Sequence, residues 1–489
     1  MKVARFPLVG SYTNRGLDAE ITDTTDQIFT NGYPETATNP ITGKSRVCLN
    51  KRPGRAQSAE LTGVSAGLNA AVAWTSNSGS AAPFVFAFRD SGNDIRFYDH
   101  TGTQVGGDVA TASTSDCTFL SETLISTTGN LTASIIDGTT LENWFFPEGG
   151  AWTQITDGDF PANVQAAHCH MDGYMFVITR AGVIHNSDVN SLSAWTAGVS
   201  IAAQSMPDNG VGIARYRNLV VAFGDYSMEF FYNAGNATGS PLSRVDGAIK
   251  RVGAIRPSSF NPTIRSIGDT VYWLGRDAEA GTCGVYRLDG FQPKKISTTT
   301  VDKLVTKGAI TKILGGFTLG GLSHIAFAAS GVSVLCFCLE TGFWWYFVSD
   351  ISFTAFLGGR GTTGITVATA SNSNRIHTFD PSTPVWQDAG ASYTMTAQTD
   401  PLDHGTHKRK FYNRVALMGD TQSSGAVSVS WSDDDYASFS AARSIDFSST
   451  RRSLERLGMS RRRAWKFEHS ANTPCRLEAV EIEYEEGES

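Results

Sequence analysis

Between about residues 70 and 385, the chain repeats a simple pattern of short apolar runs separated by polar turns. Each unit is a run of about four to six strand-forming residues, a turn containing Gly, Ser or Asp, and a second such run. Stretches with helical periodicity are nearly absent. Seven of these hairpins, roughly 40 to 55 residues apart, start at Phe84, Leu124, Gly173, Leu219, Val271, His324 and Ile365.

This spacing is typical of propeller blades, which contain about four strands each. A single hairpin cannot bury its apolar face, whereas blades arranged around a common axis bury both faces and leave only short edges exposed. We therefore predict an all-β fold with a β-propeller of six or seven blades over residues 69–385.

The two ends of the chain depart from this pattern. Residues 1–68 carry Pro, Asn, Thr and Gly with little periodicity, which predicts an extended N-terminal arm and the start of the propeller. After a Pro-containing junction, residues 386–489 contain about five longer strands of alternating polarity. This second pattern predicts a C-terminal β-sandwich.

Composition narrows the function classes. A net charge of −7 and a pI near 5.8 argue against a surface that binds duplex nucleic acid throughout. The seven cysteines form neither a disulfide framework nor a paired C-x-x-C zinc pattern, so we predict reduced, mostly buried thiols. The most apolar window, which begins at His324, is interrupted by Gly331 and Glu340, and it predicts two buried strands rather than a membrane span.

Few residues suggest metal or enzyme chemistry. His168 and His170 flank Cys169, but in a strand the cysteine points to the opposite face, and no second cluster supplies further ligands. His404 and His407 lie in a polar loop. The chain has no nucleophile elbow, P-loop or dinucleotide-binding fingerprint. We therefore predict no catalytic residue, no cofactor and no metal site.

One acidic segment is similar to the Asp-box turn of propeller glycosidases. The stretch SDDDYASF places Ser432, Asp434 and Phe439 in the matching order. Tyr436 stands where that turn needs glycine, and the segment occurs once, outside the predicted propeller. A solvated acidic hairpin turn is the interpretation we favour.

The stretch RLGMSRRRAWKFEHS, residues 456–470, concentrates arginines and aromatics as a nucleic-acid contact would. In a strand, Arg461, Arg463, Trp465 and Phe467 share one face, while Arg462, Ala464, Lys466 and Glu468 share the other. We predict that this strand pairs as a hairpin with the last strand, so that Arg462 and Lys466 face the glutamates at 481, 483 and 485.

That pairing leaves several arginines without a predicted partner, and we treat them as candidate interface residues. Three interpretations of the basic run are open: a structural role, a protein interface and direct DNA contact. The candidates are Arg451, Arg452, Arg456, Arg461 and Arg463.

Several blocks resemble the tail-hub or nozzle proteins of short-tailed bacteriophages, which include packaged-DNA stabilisation proteins. The blocks are YRNLVVAFGDYSMEFFYNAGN from Tyr216, SIGDTVYWLGRDAEAGTCGVYRLDGFQPKKISTTTVDKLV from Ser266, SVSWSDDDYASFS from Ser428 and the C-terminal residues from Arg451, with NGYPE and RPG near the start. Asp435 and Tyr436 depart from the family's usual Asp-Gly turn, which leaves the geometry of that turn open.

The resemblance implies a structural virion protein, made in the host cytoplasm and located in the tail. It implies a homo-oligomeric ring of six copies below the portal-adaptor ring, which extends the DNA exit channel and helps retain packaged DNA. The implied protein partners are the portal-adaptor ring, tail fibres, spikes, and needle or plug proteins. Double-stranded DNA is implied to pass through without sequence-specific binding, and no membrane span is implied. The alternative is a propeller glycosidase or lyase, or a glycan-binding propeller, acting on a host surface polymer.

Overall fold

The computed structural model of the chain is almost entirely β-structure, as the sequence predicts. Its single described helix, α1 (Thr299–Thr306), has eight residues. No helix in the described part is long and apolar enough to cross a membrane. All seven cysteines are buried thiols outside any disulfide bond, as predicted. The structure describes residues 2–9, 28–38, 45–61, 64–74, 84–90, 94–109, 115–125, 128–137, 140–256, 262–329, 333–358, 366–370, 374–380, 382–422 and 424–488.

Five strands precede the propeller and enter three different sheets. Strands β1, β3 and β4 join one sheet of the C-terminal domain, β2 joins the other, and β5 joins the last blade. The predicted N-terminal arm is therefore paired along much of its described length. The five strands are β1 (Lys2–Pro7), β2 (Ile28–Thr30), β3 (Gly32–Thr38), β4 (Ser45–Lys51) and β5 (Ala56–Glu60).

Seven antiparallel sheets follow in chain order. Blade 1 contains β6 (Val64–Ala73), β7 (Phe84–Asp90) and β8 (Ile95–Asp99), and blade 2 contains β9 (Ser115–Ile125), β10 (Thr128–Asp137), β11 (Thr140–Phe146) and β12 (Thr153–Gln154). Blade 3 contains β13 (Val164–Met171), β14 (Tyr174–Thr179), β15 (Val183–Ser187) and β16 (Trp195–Ala202), and blade 4 contains β17 (Gly210–Tyr216), β18 (Leu219–Gly224), β19 (Met228–Asn233) and β20 (Leu242–Arg244).

The ring continues with three more sheets. Blade 5 contains β21 (Val252–Ala254), β22 (Ile264–Ile267), β23 (Thr270–Asp277), β24 (Cys283–Asp289) and β25 (Gln292–Lys295), and blade 6 contains β26 (Lys312–Leu319), β27 (Leu322–Ala328), β28 (Ser333–Cys338) and β29 (Trp344–Val348). Blade 7 contains β30 (Phe353–Leu357), β31 (Thr366–Ala370) and β32 (Arg375–Phe379), and β5 is its outer strand.

Five of these sheets, blades 2, 3, 4, 5 and 7, are separate sheets of four or five strands. Five self-contained blades are fewer than the six or seven expected from the hairpins. Blade 1 has three described strands, and blade 6 continues into the C-terminal domain. The inner strands β6, β9, β13, β17, β22, β26 and β30 pack each against the next, and β30 packs against β6, so the described residues close a ring of seven sheets.

The hairpin strands contain runs of consecutive buried residues, because each blade packs against a neighbouring blade on both of its faces. In β18, four consecutive residues from Val220 to Phe223 are buried. Val220 and Ala222 pack towards blade 3, whereas Phe223 packs against Trp273 of blade 5, with ring centroids 5.3 Å apart. A strand with apolar neighbours on both sides needs no polar face, so its sequence loses the alternation of a half-exposed strand.

The ring is closed by a strand from the other end of the chain. Strand β5 pairs antiparallel with β32, and Glu60 lies opposite Arg375. Because β5 comes directly before blade 1, the outer strand of blade 7 is covalently continuous with the first blade. This arrangement removes an unpaired edge and joins the two ends of the ring.

Residues after the propeller, together with strands β1 to β4, form two sheets that share one hydrophobic core. One has the order β3-β4-β40-β34-β37, with β1 added to β40 and β38 to β34; the other has the order β2-β33-β39-β35-β36. Tyr412 of the first sheet meets Trp465 of the second, with ring centroids 5.8 Å apart. The strands are β33 (Met395–Gln398), β34 (Lys410–Gly419), β35 (Ala426–Ser432), β36 (Arg443–Asp446), β37 (Ser453–Glu455), β38 (Met459–Ser460), β39 (Ala464–His469) and β40 (Arg476–Glu486).

The predicted hairpin between β39 and β40 is wrong. Strand β39 pairs with β33 and β35, whereas β40 pairs with β34, β1 and β4 in the opposite sheet. Both strands alternate apolar and polar residues, and that pattern is satisfied equally well when their apolar faces meet across a core. The glutamates at 481 and 483 pair with Arg414 instead of Arg462 or Lys466.

Propeller and C-terminal domain are joined by β2, which makes blade 6 and the second sheet one continuous nine-stranded sheet. Beside this junction, the Arg52 side chain is completely buried. Its Nη1 and Nη2 atoms donate to the two carboxylate oxygens of Asp388 at 2.9 and 2.5 Å, and its Nε donates to Asn31 at 2.9 Å. The guanidinium lies between the rings of Phe347 and Tyr393, 4.0 and 3.9 Å from their centroids.

We expect Arg52→Met to reduce the free energy of unfolding by about 3 to 5 kcal/mol, because it leaves the Asp388 carboxylate buried without its cation. Guanidinium unfolding followed by tryptophan fluorescence measures the loss. The control is Arg251→Met, which breaks the exposed pair with Glu279 and costs about 1 kcal/mol or less. A loss for Arg52→Met as small as that of the control contradicts the stabilising role of the buried Arg52–Asp388 pair.

Candidate functional site

The basic run divides into an inward and an outward set. Trp465 and Phe467 are buried, and Arg463 shares their face and is buried with them. Arg462 points outward, pairs with Asp435 and is 50% exposed. Lys466 pairs with Glu468 of its own strand. The predicted division of faces holds for most of the strand, but Ala464 is buried, and Arg461 precedes the strand and is exposed. The predicted partners of Arg462 and Lys466 are not those observed.

Arg463 is a core residue, and the structure takes it out of the candidate interface. Its side chain is 1% exposed, and its Nε and Nη2 atoms donate to the two Asp433 carboxylate oxygens, each at 2.7 Å. Its Nη1 atom donates to the Leu457 carbonyl at 2.6 Å. The guanidinium carbon also lies 4.3 Å from the ring centre of Tyr412 and 5.0 Å from that of Trp431, so Arg463 contacts both sheets.

The remaining candidate arginines differ in how many contacts they make within their own domain. Arg451 is exposed and pairs with Glu455, and Arg456 is exposed with a φ of 59°. Arg452 donates to the carbonyls of Gly419 and Ser449, and its guanidinium lies 5.1 Å from the ring centre of Phe447. Arg452 is therefore held by its own domain, whereas Arg451 and Arg456 present charge to solvent.

Arg461 lies beside an apolar pair that the sequence analysis missed. It is exposed, and its Nη1 atom donates to the carbonyl of His407 at 3.2 Å. Phe411 and Met459 lie opposite each other on β34 and β38 and are 45% and 51% exposed. The sequence signal for the exposure of Phe411 was the alternation of faces along β34. Because Tyr412 is buried, its neighbour Phe411 has to lie on the charged outer face. We call Phe411, Met459, Arg456 and Arg461 the β34–β38 patch.

The segment that is similar to an Asp box forms a tight turn with its polar groups satisfied internally. Ser432 Oγ donates to Asp434 at 2.7 Å and accepts from the Tyr436 N–H at 2.8 Å. The Ser438 side chain and N–H and the Ser432 hydroxyl hold the pKa of Asp434 at about 2. Tyr436 adopts a φ of 69°, and its hydroxyl donates to the Thr399 carbonyl at 3.0 Å. That contact offsets the strain at a position where glycine is favoured.

Three of the four histidines considered as metal ligands are at least partly buried, and the fourth, His407, is exposed. His168 is buried between blades 2 and 3, with Nε2 2.6 Å from the Thr132 hydroxyl, and burial lowers its pKa to about 3. Burial also lowers the pKa of His170 to about 4 and raises that of Cys169 to about 12. His404 stacks on Tyr484 at 4.4 Å between ring centroids. Nowhere in the described ranges do three His, Cys, Asp or Glu side chains come together as a metal site would require.

We expect the same substitution at two adjacent arginines to destabilise the fold to different extents. Arg463→Met removes a buried guanidinium that bonds both Asp433 oxygens and the Leu457 carbonyl, and it costs about 2 to 3 kcal/mol of unfolding free energy. Arg462→Met removes an exposed pair and costs about 1 kcal/mol or less. Parallel denaturant titrations of the two variants measure the difference, and equal losses refute the burial argument.

Comparisons with curated proteins and with solved structures give no close relative. A search of the curated proteins finds no match to this sequence. Among solved structures, the chain is similar to a streptogramin B lyase, with 12% identity over 67% of this chain and 97% of the other and a TM-score of 0.43. It is also similar to Chaetomium thermophilum Raptor, with 14% identity over 68% of this chain and 28% of that one, and a TM-score of 0.42. The computationally designed protein Ika8 has 13% identity, covers 66% of this chain and 99% of its own, and gives a TM-score of 0.35.

The family model described as "Bacteriophage P22 Gp10, beta-propeller" matches residues 17–313, which is more than half of the 489-residue chain. The match includes β5 and blades 1 to 5 and ends at the start of β26. The chain therefore belongs to this phage-stabilisation family, and it is a structural propeller protein of a bacteriophage.

Proposed function

We propose that the chain is the tail hub, or nozzle, of a short-tailed phage. Six copies form a ring below the portal-adaptor ring and extend the channel through which DNA leaves. The ring helps to retain the packaged DNA and provides docking surfaces for fibres, spikes or a plug. Its work is assembly and channel formation, without catalysis. Membership of the phage-stabilisation family is the observation that carries the proposal.

The junction between the two domains supports a mechanical role. A tail component transmits force between the head and the attached fibres, so its domains have to keep a fixed relation. The continuous nine-stranded sheet through β2 provides such a connection, and the buried Arg52–Asp388 pair lies beside it. Backbone pairing supplements the side-chain contacts at this boundary, because Thr30 lies opposite Tyr346 and the Asn31 N–H donates to the Tyr346 carbonyl at 2.7 Å.

The charge of the chain is compatible with passage of DNA. A net charge of −7 is unfavourable for tight, sequence-independent binding to duplex DNA, which depends on contacts between basic side chains and phosphates. A polyanion slides more readily past neutral or acidic groups than past a strongly basic lining. The proposed ring accordingly handles double-stranded DNA without sequence-specific recognition.

The β34–β38 patch is the contact surface we propose for a neighbouring copy or the adaptor. Phe411 and Met459 supply exposed apolar area, and Arg456 and Arg461 supply flanking charge. Interfaces commonly combine an apolar or aromatic centre with a polar rim, and arginine is enriched in them. The exposed Arg451 extends the same basic region along the chain.

Electron cryomicroscopy of the assembled virion tests the ring directly. We expect six copies around the tail axis, directly below the adaptor. Absence of the chain from the tail, or a ring with another symmetry, rejects the proposed hub.

The double variant Phe411→Asp/Arg461→Glu tests the patch. Opposite charge at these exposed positions disfavours a contact that buries them, so we expect incorporation into virions to fall about tenfold or more. Quantitative immunoblotting of purified particles from a complementation assay measures this fall, and thermal unfolding of the isolated chain verifies that it still folds.

The matched control is Val189→Asp/Arg251→Glu, which changes an exposed apolar residue and an exposed arginine on the propeller. Wild-type incorporation of this control shows that added negative charge alone is tolerated. Wild-type incorporation of the patch variant removes the patch from the proposed interface.

A further inference from the structure

Two basic side chains lie on the inner strands of neighbouring propeller blades. Arg265 lies on β22 and Lys312 on β26, the inner strands of blades 5 and 6. Both side chains are half-buried. Inner strands of a propeller line its central opening, so these two charges lie in a confined space instead of on the outer surface.

Arg265 spans this opening. Its Nη1 atom donates to the carbonyl of Ala71 at 3.4 Å, and Ala71 belongs to β6 of blade 1. Blades 1 and 5 are not neighbours in the ring, so the side chain reaches across the axis. A side chain that bridges the opening leaves no room for a nucleic-acid duplex.

The charge of the pair is not balanced by any described carboxylate. The Nε atom of Arg265 is buried and has no hydrogen-bond partner. Burial, and then repulsion from Arg265, lower the pKa of Lys312 to about 8, and burial lowers that of Arg265 to about 10. In the described part of the chain, neither cation forms an ion pair with Asp or Glu.

Two fully buried arginines have a different environment. Arg52 and Arg463 each contact both oxygens of one carboxylate and donate a further hydrogen bond to a backbone carbonyl. Confining two like charges without a counterion destabilises a fold, because desolvation and mutual repulsion are not offset. A counterion from solution would offset both, and the guanidinium fork is suited to an oxyanion.

We propose that the central opening of the propeller is a binding site for a small oxyanion of the phosphate or sulfate type, held by Arg265 and Lys312 together. The site is separate from the β34–β38 patch and does not depend on ring formation. Neutralisation of the two cations by the anion ties blades 1, 5 and 6 together at the axis. The bound anion is thus a stabilising component of the folded propeller.

Isothermal titration of the isolated full-length chain with sodium sulfate, in a buffer low in other anions, tests the proposal. We expect one site per chain and a dissociation constant that rises about tenfold or more in Lys312→Met. Lys303→Met, which removes an exposed lysine on α1, is the control and keeps the wild-type affinity. The proposal is overturned if wild type shows no saturable binding up to about 10 mM sulfate or if Lys312→Met binds like wild type.

Thermal unfolding gives an independent readout. Without sulfate, Lys312→Met should melt at a higher temperature than wild type, because it removes an uncompensated charge. Sulfate should raise the melting temperature of wild type and of Lys303→Met more than that of Lys312→Met. Comparison at equal sulfate concentration separates site binding from the general stabilisation that sulfate gives all proteins. An equal rise in all three proteins rejects the site.

Discussion

The ion pair between Arg52 and Asp388 is the interaction on which the arrangement of the two domains depends. The arginine comes from the segment between β4 and β5, and the aspartate follows the last blade, so the contact joins points 336 residues apart in the chain. Around it, Asn31 accepts from Arg52 and from the Val348 N–H, which connects β2 to blade 6. The segment from β2 to β5, residues 28–60, therefore links blade 6, blade 7 and the sandwich.

Buried charge is used in two ways in this molecule. Arg52 and Arg463 have a full set of acceptors, and each connects elements that would otherwise meet only through apolar contacts. Arg265 and Lys312 lack such acceptors among the described residues. A cation held by a carboxylate, or by backbone carbonyls as Lys410 is, rigidifies the fold. A confined pair of cations without a counterion favours a ligand. Whether a cation has hydrogen-bond acceptors within the protein, more than whether it is buried, separates structural arginines from candidate binding residues.

Membership in a phage structural family is compatible with the absence of reactive motifs in the sequence. The polar groups that invite a catalytic or metal interpretation are occupied by local contacts. Asp434 is bonded within its own turn, and His168 is packed between two blades beside Thr132. What the fold offers to partners is surface: blade edges, the β34–β38 patch and a rigid connection between two domains.

The all-β class, the hairpins and the inward face of Arg463, Trp465 and Phe467 were determined by local pattern, because strand periodicity is a property of neighbouring residues. Pairing across the chain was decided only by the tertiary structure. Alternation in β39 and β40 is satisfied by one sheet or by two facing sheets, and β5 carries no local mark of its place in blade 7. Nor does the sequence supply Asp433 for Arg463, since that partner lies thirty residues away and is brought close only when β35 pairs with β39.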